Sequence, residues 1–294
     1  MSEDLFQKAL IVLTMMRQAV SDHMLPVFQN PEGLQVETKL DKTIITNVDR
    51  NVENFLMAQL REQFPEANII GEECVTDDPS LMNLFKDERP LWIIDALDGT
   101  YSFAKGQPGW GILISYMEYG RPVMSITLDG VSDQHIIAIA DYGVFLNTEK
   151  VMTKFEEKPL DQQNIVTWNN YYNPLFNQTL DKNAHHFNRV KKARSTGETT
   201  FIEACFLFLN GEMDILPSAI STPWDFLPLK LIMNELGGRV AKLVDSHDLS
   251  GDRLIQKQES CLVVRYAPQW EEIRDKLFDG LSSEEISDGL GLKS

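Results

Sequence analysis

The chain has 294 residues, 43% hydrophobic and 24% charged, enough for one large core or two packed lobes of roughly 150 residues each. Its 27 Lys and Arg stand against 44 Asp and Glu, a formal charge of -17, so the surface repels a phosphate backbone and binding to a nucleic-acid polymer is not expected. Cys74, Cys205 and Cys261 are odd in number and form no CxxC pair, which argues against a disulfide framework or zinc ribbon and for a reducing, cytoplasmic setting.

The start, Met1-Ser2-Glu3-Asp4, is acidic where a secretion signal is basic, and the apolar run Ala9 to Met16 falls short of the roughly 20 residues of a membrane span, so neither export nor a membrane partner is expected. Leu5, Ala9, Val12, Met16, Val20 and Met24 recur at helical spacing and predict one opening helix. A second helix follows Thr46, which can cap its first turn with Asp49 three residues on, and Phe64-Pro65 ends it. Asn68-Ile69-Ile70 and Leu91 to Ile94 are short, continuous apolar runs, as expected of strands covered on both faces. Trp110 to Tyr119, Pro122 to Leu128 and His135 to Ala140 then read as an antiparallel meander with turns at Gly120-Arg121 and Asp129-Gly130.

Beyond Lys150 the pattern predicts a strand near Ile165 to Trp168, helices over Thr200 to Leu209 and Asp225 to Leu236, strands over Arg239 to Val244 and Cys261 to Tyr266, and a closing helix from Pro268 to Phe278. No repeat or Gly/Ser linker divides the chain. Residues 279–294 read as a flexible tail. Helices alternating with buried and hairpin-linked strands predict an α/β or α+β layered sandwich.

Three acidic clusters interrupt apolar stretches: Gly71-Glu72-Glu73, Asp95-Ala96-Leu97-Asp98-Gly99-Thr100 and Trp224-Asp225. Asp225 alone reads as a helix N-cap and Glu72-Glu73 alone as a solvated loop. Asp95 and Asp98, at the end of a buried strand, repel each other unless a cation neutralises them. Mg²⁺ suits such oxygen ligands, and none of His23, His135, His185, His186 and His247 forms an HxH or HExxH zinc pattern. No GxxxxGK[ST], GxSxG or GxGxxG motif occurs, which argues against common nucleotide-loop and serine-hydrolase sites.

Together with Thr46-Asn47-Val48-Asp49 and Glu235-Leu236-Gly237-Gly238, these clusters resemble, in order and approximate spacing, the inositol monophosphatase family of magnesium-dependent, lithium-sensitive phosphatases. The resemblance implies a five-layered αβαβα sandwich of the inositol monophosphatase/fructose-1,6-bisphosphatase type, one domain over 1–278 in two lobes meeting near residue 150, and a homodimer. It implies two or three Mg²⁺ ions. Glu72, Asp95 and the Leu97 carbonyl would bind one; Asp95, Asp98 and Asp225 a second; Glu72 and Asp49 would lie near a third. Gly99 and Thr100 N–H groups would hold phosphate oxygens, and Thr100, paired with Asp49, would orient water together with Glu72. The implied reaction is hydrolysis of a small phosphorylated metabolite such as inositol monophosphate.

The chain departs from the family pattern at three places. Ala96 stands where a Pro is usual, Phe226-Leu227-Pro228-Leu229 where small residues are usual, and Ser218, the position implied to meet substrate, where a Glu commonly reads sugar hydroxyls. Gly106 to Gly111, Leu216-Pro217-Ser218 and Pro223-Trp224-Asp225 look closer to histidinol-phosphate phosphatases, and a sugar bisphosphate or nucleotide 3′-phosphate stays open. Arg189, Lys191, Lys192 and Arg194 could meet a second anionic group or simply blunt a strand edge. The reading of another class is a catalytically inactive metal-binding or scaffolding relative.

Overall fold

The computed structural model describes residues 2–39, 44–166, 174–189, 199–243, 246 and 259–281, with backbone alone at 174–177, 189, 219–220 and 259. The opening stripe is divided. Helix α1 (Ser2–Ala19) buries Leu5, Ala9, Val12 and Met16, a π-helical turn over Val20–Met24 carries on the buried face, and α2 (Leu25–Gln29) follows. The Leu25 N–H bonds Val20 O, five residues back. Pro26, next in line, has no N–H to give, and a widened turn is one way a helix absorbs that break.

A two-stranded ribbon of β1 (Val36–Thr38) and β2 (Ile44–Thr46) leads into α3 (Asn47–Gln63), which Thr46 caps as its sequence predicts. Next come β3 (Asn68–Gly71), α4 (Glu72–Asp77), β4 (Leu91–Asp98) and α5 (Thr100–Ala104). The meander is β5 (Gly111–Glu118), β6 (Arg121–Asp129) and β7 (His135–Ile139), extended by β8 (Gly143–Leu146) and β9 (Glu149–Lys150), which the sequence pattern did not distinguish. These strands form a seven-stranded sheet in chain order, parallel between β3 and β4 and antiparallel thereafter.

The remaining elements are β10 (Asn164–Ile165), α6 (Pro174–Asn183), β11 (Asn188–Arg189), α7 (Phe201–Asn210), β12 (Ile215–Ser221), α8 (Pro223–Leu236), β13 (Arg239–Lys242), β14 (Glu259–Val264) and α9 (Trp270–Leu277). A second sheet takes the order β11-β10-β12-β14-β13. The last helix begins two residues later than its pattern predicts, because Pro268 sits in a 3-10 turn, Ala267–Gln269. Trp168, Lys191, Lys192, Arg194, Val244 and the tail beyond 281 lie outside the described residues.

Alternation along the strands sets the layers. On β4, Trp92 and Ile94 join Val12, Met16, Val52 and Leu56 of α1 and α3, while Leu91 and Ile93 join Phe208, Phe226 and Ile232 of α7 and α8. On β14, Cys261 and Val263 face that middle helical layer, and Leu262 and Val264 meet Trp270, Ile273 and Leu277 of α9 outside. The result is the five-layered αβαβα sandwich that the resemblance implies. No described helix is long and apolar enough to cross a membrane.

Candidate functional site

The acidic clusters converge where β3, β4 and α3 meet the start of α8. A regular strand would send Asp95 and Asp98 to opposite faces, because their separation is odd. Instead β4 bulges: Asp95 pairs with Leu113 and Asp98 with Gly111, so Ala96 and Leu97 lie opposite the single residue Ile112. Both carboxylates therefore face the middle layer. There the Ile202 N–H donates to Asp98 Oδ2 at 2.6 Å, and the Leu97 N–H to Asp95 Oδ1 at 3.1 Å.

Asp225 comes from α8. Its sequence reading as an N-cap is corrected by three residues: the helix starts at Pro223, Thr222 is the N-cap, and Asp225 is its partner in a capping box. One carboxylate oxygen from each of Asp95, Asp98 and Asp225 can lie within 4.8 Å of the others, a group able to hold a metal ion. All the donors are hard oxygens, the set that Mg²⁺ or Ca²⁺ takes and soft metals do not.

Electrostatics describe the same deficit. Burial, then the charges of Glu72, Asp98 and Asp225, hold the Asp95 carboxyl well above the usual range. Burial with the Asp98 and Glu72 charges raises Asp225 to about 8, and burial raises Asp98 to about 7 against the Ile202 and Phe201 N–H groups that favour its ionised form. A cation would relieve the same repulsion that raises these carboxyls.

Asp49, on α3, is 5% exposed and divides its oxygens. Oδ2 accepts from the Thr46 N–H and hydroxyl, and Oδ1 from the Thr100 hydroxyl at 2.9 Å. Burial raises its carboxyl to about 6, opposed by these hydrogen bonds. The Thr100 hydroxyl also lies 2.9 Å from the Leu97 carbonyl, so its one proton has two acceptors. Gly99, at φ +82°, makes the turn into α5 possible, and a Cβ there would sit 2.2 Å from the Gly109 carbonyl oxygen.

Glu72 begins α4 beside the three aspartates, with the largest neighbouring charge acting on Asp95. Lys39 Nζ bridges Glu72 at 2.6 Å and Glu73 at 2.8 Å. Burial opposes the Lys39 ammonium, but these two carboxylates hold its pKa above the usual range. Ser218 stands apart: it is 2% exposed in β12 and accepts a hydrogen bond from Ser221, so a substrate could reach its hydroxyl only if that strand opened. Of the basic cluster, only the backbone of Arg189, in β11, is described.

A model of the inositol monophosphatase family matches residues 7–274. The chain belongs to the inositol monophosphatase family. Within it, the chain is 28% identical over 213 residues to inositol-1-monophosphatase of Bacillus subtilis, spanning 70% of this chain and 76% of that one. It is 25% identical over 201 residues to the fructose-1,6-bisphosphatase/inositol-1-monophosphatase of Thermotoga maritima, 68% of this chain and 71% of the other. It is also 25% identical over 234 residues to Nus factor SuhB of Escherichia coli, 75% and 80% of the two chains. Among solved structures, inositol monophosphatase-II from Staphylococcus aureus superposes with a TM-score of 0.77 at 19% identity, over 99% of each chain. An IMPase/NADP phosphatase complexed with Mg²⁺ and phosphate gives 0.77 at 21% identity, over 95% and 97%. At these identities the structural likeness concerns the fold.

Sequence reasoning missed Thr222, Glu53 and Lys39. Thr222 to Asp225 repeats the spacing of Thr46 to Asp49, and Glu53 stands one helical turn after Asp49, so both carried a local signal. Lys39 carried none, because it meets Glu72 and Glu73 only through tertiary packing.

Proposed function

We propose that this inositol monophosphatase family member is a Mg²⁺-dependent phosphomonoesterase that hydrolyses a small phosphorylated metabolite, inositol monophosphate being the first substrate to try. The observation that carries the reading is the convergence of Asp95, Asp98 and Asp225 within 4.8 Å, with Glu72 beside them and Asp49 hydrogen-bonded to Thr100, two residues after Asp98.

Glu72, Asp95 and the Leu97 carbonyl would hold one ion, Asp95, Asp98 and Asp225 a second, with Glu72 and Asp49 near a third. When bound, Mg²⁺ would neutralise the phosphoryl oxygens and acidify water. The Leu97 carbonyl cannot serve an ion and accept the Thr100 proton equally well, so with an ion held there the Thr100 hydroxyl would donate to Asp49 Oδ1. That leaves the lone pairs of Thr100 Oγ1 free to accept a proton from attacking water, while Asp49, ionised above about pH 6, accepts the proton Thr100 gives up. The Gly99 and Thr100 N–H groups, at the start of α5, would hold the phosphate oxygens. Attack by water in line with the leaving group requires no covalent phosphoenzyme.

The test is phosphate release from a panel of inositol monophosphate, fructose 1,6-bisphosphate, histidinol phosphate and nucleotide 3′-phosphates, with and without EDTA. Release from at least one ester that EDTA abolishes and Mg²⁺ restores is expected. Mg²⁺ binding with no release from any ester would leave the inactive scaffold as the better reading. Light scattering tests the homodimer that the family resemblance carries with it.

A further inference from the structure

Glu53 is 3% exposed on α3, one turn beyond Asp49, and makes no contact in the proposed reaction. Its Oε2 accepts the Glu73 N–H at 2.9 Å and its Oε1 the Cys74 N–H at 2.8 Å, the free donors at the start of α4. Glu72 is the first residue of that helix. The approach is so close that a Cβ on Gly71 would lie 2.3 Å from Glu53 Oε2, and only glycine leaves room for it. A buried carboxylate accepting two N–H bonds is a strong, directional anchor.

We propose that Glu53 is a positioning residue for Glu72, and that α3 is the rail on which two parts of the site are aligned. Asp49 ties the rail to Thr100 on the β4–α5 turn, and Glu53 ties it to the β3–α4 turn that presents Glu72. The distance between Glu72 and Thr100, which bear on the same water in the phosphomonoesterase reading, is thus set by one rigid helical turn instead of by two loops. The inference rests on that reading for its catalytic consequence, and on the hydrogen bonds alone for its effect on ion binding.

Glu53→Gln has an N–H group where one acceptor is needed, Glu53→Asp keeps the charge one methylene short, and Gly71→Ala pushes on the anchor from the other side. Calorimetric titration of the ion-free protein with Mg²⁺ alone is expected to show Kd raised about 10- to 100-fold for Glu53→Gln and Gly71→Ala, the range found when outer supports of a metal ligand are removed, and less for Glu53→Asp. On an active ester, kcat falls while KM changes little. A folded Glu53→Gln protein that binds Mg²⁺ and turns over like the parent overturns the inference, as does a variant that loses thermal stability only. Failure of the parent to release phosphate from any ester overturns the phosphomonoesterase reading and leaves the Mg²⁺ titration to decide on Glu53.

Discussion

Thr222 donates both its N–H, at 3.0 Å, and its hydroxyl, at 2.6 Å, to the same oxygen of Asp225, Oδ2. Thr46 treats Oδ2 of Asp49 in the same way. Two helices from different layers thus begin with the same Thr-x-x-Asp device, which satisfies the helix N-terminus with one carboxylate oxygen and leaves the other to the site.

Thr222→Val keeps the shape and the N–H bond but removes the hydroxyl. Mg²⁺ affinity is expected to fall by about 10- to 100-fold, as for other lost supports of a ligand, with a stability loss of about 1 kcal/mol for the cap. Titration calorimetry and a thermal melt in EDTA measure the two separately. Unchanged affinity would mean that Asp225 needs no orienting bond.

Stability without metal should depend on pH in an unusual direction. Asp49, Asp98 and Asp225 lie at about 6, 7 and 8, and Asp95 is also raised, against about 3.9 in an unfolded chain. Between about pH 4 and pH 8 the folded protein therefore binds more protons than the unfolded one, and its stability falls as pH rises, by about 1.4 kcal/mol per pH unit for each extra proton. Mg²⁺ held by the proposed site would displace those protons, so the melting temperature gained on adding Mg²⁺ should grow from pH 5.5 to pH 8. A gain independent of pH would refute a coupled carboxylate site.

Asp95→Asn removes the most crowded charge. In EDTA at pH 8 its Tm should exceed that of the parent, by about 2 °C for each kcal/mol of repulsion relieved in a chain of this size. Mg²⁺ should no longer raise it, and phosphate release should disappear. Near-normal turnover at saturating Mg²⁺ would remove Asp95 from the mechanism.

In the proposed reaction Thr100 handles a proton and holds no ion. Thr100→Val should lower kcat by about 100-fold or more, within the range that positioned proton transfer contributes, while calorimetric Mg²⁺ binding changes little. Thr100→Ser, which restores a hydroxyl to the Asp49 acceptor, should recover most of the rate. Equal loss in both variants would mean that the methyl group, not the proton, matters.

Local patterns made much of the site legible. The apolar run before Asp95 marks a strand buried on both faces, Thr46 marks a cap, and Gly237 marks a stop that it indeed provides at φ +96°. Those signals depend on neighbours within a turn or two, which is the range over which helical and strand periods act. The register of β4 against β5 gave no such signal, so the residues alone could not say whether Asp95 and Asp98 share a face. Pro26 follows the widened turn that divides the opening stripe, and Pro268 moves the start of the last helix to Trp270, breaks of hydrogen bonding that apolar periodicity does not register.

The feature present from the outset is the charge of -17. By itself the sequence determined which acids interrupt apolar elements, Glu72, Asp95, Asp98 and Asp225, with Asp49 added by the family resemblance, and hence where repulsion would be hard to disperse. Tertiary structure alone decided that a bulge aims two of them together, that α8 brings Asp225 within 4.8 Å, that Lys39 already balances Glu72 and Glu73, and that Ser218 is enclosed. The reason is range: a side chain's chemistry and its local period are written residue by residue, but mutual proximity of charges from four elements exists only once two sheets and the helical layer between them have packed.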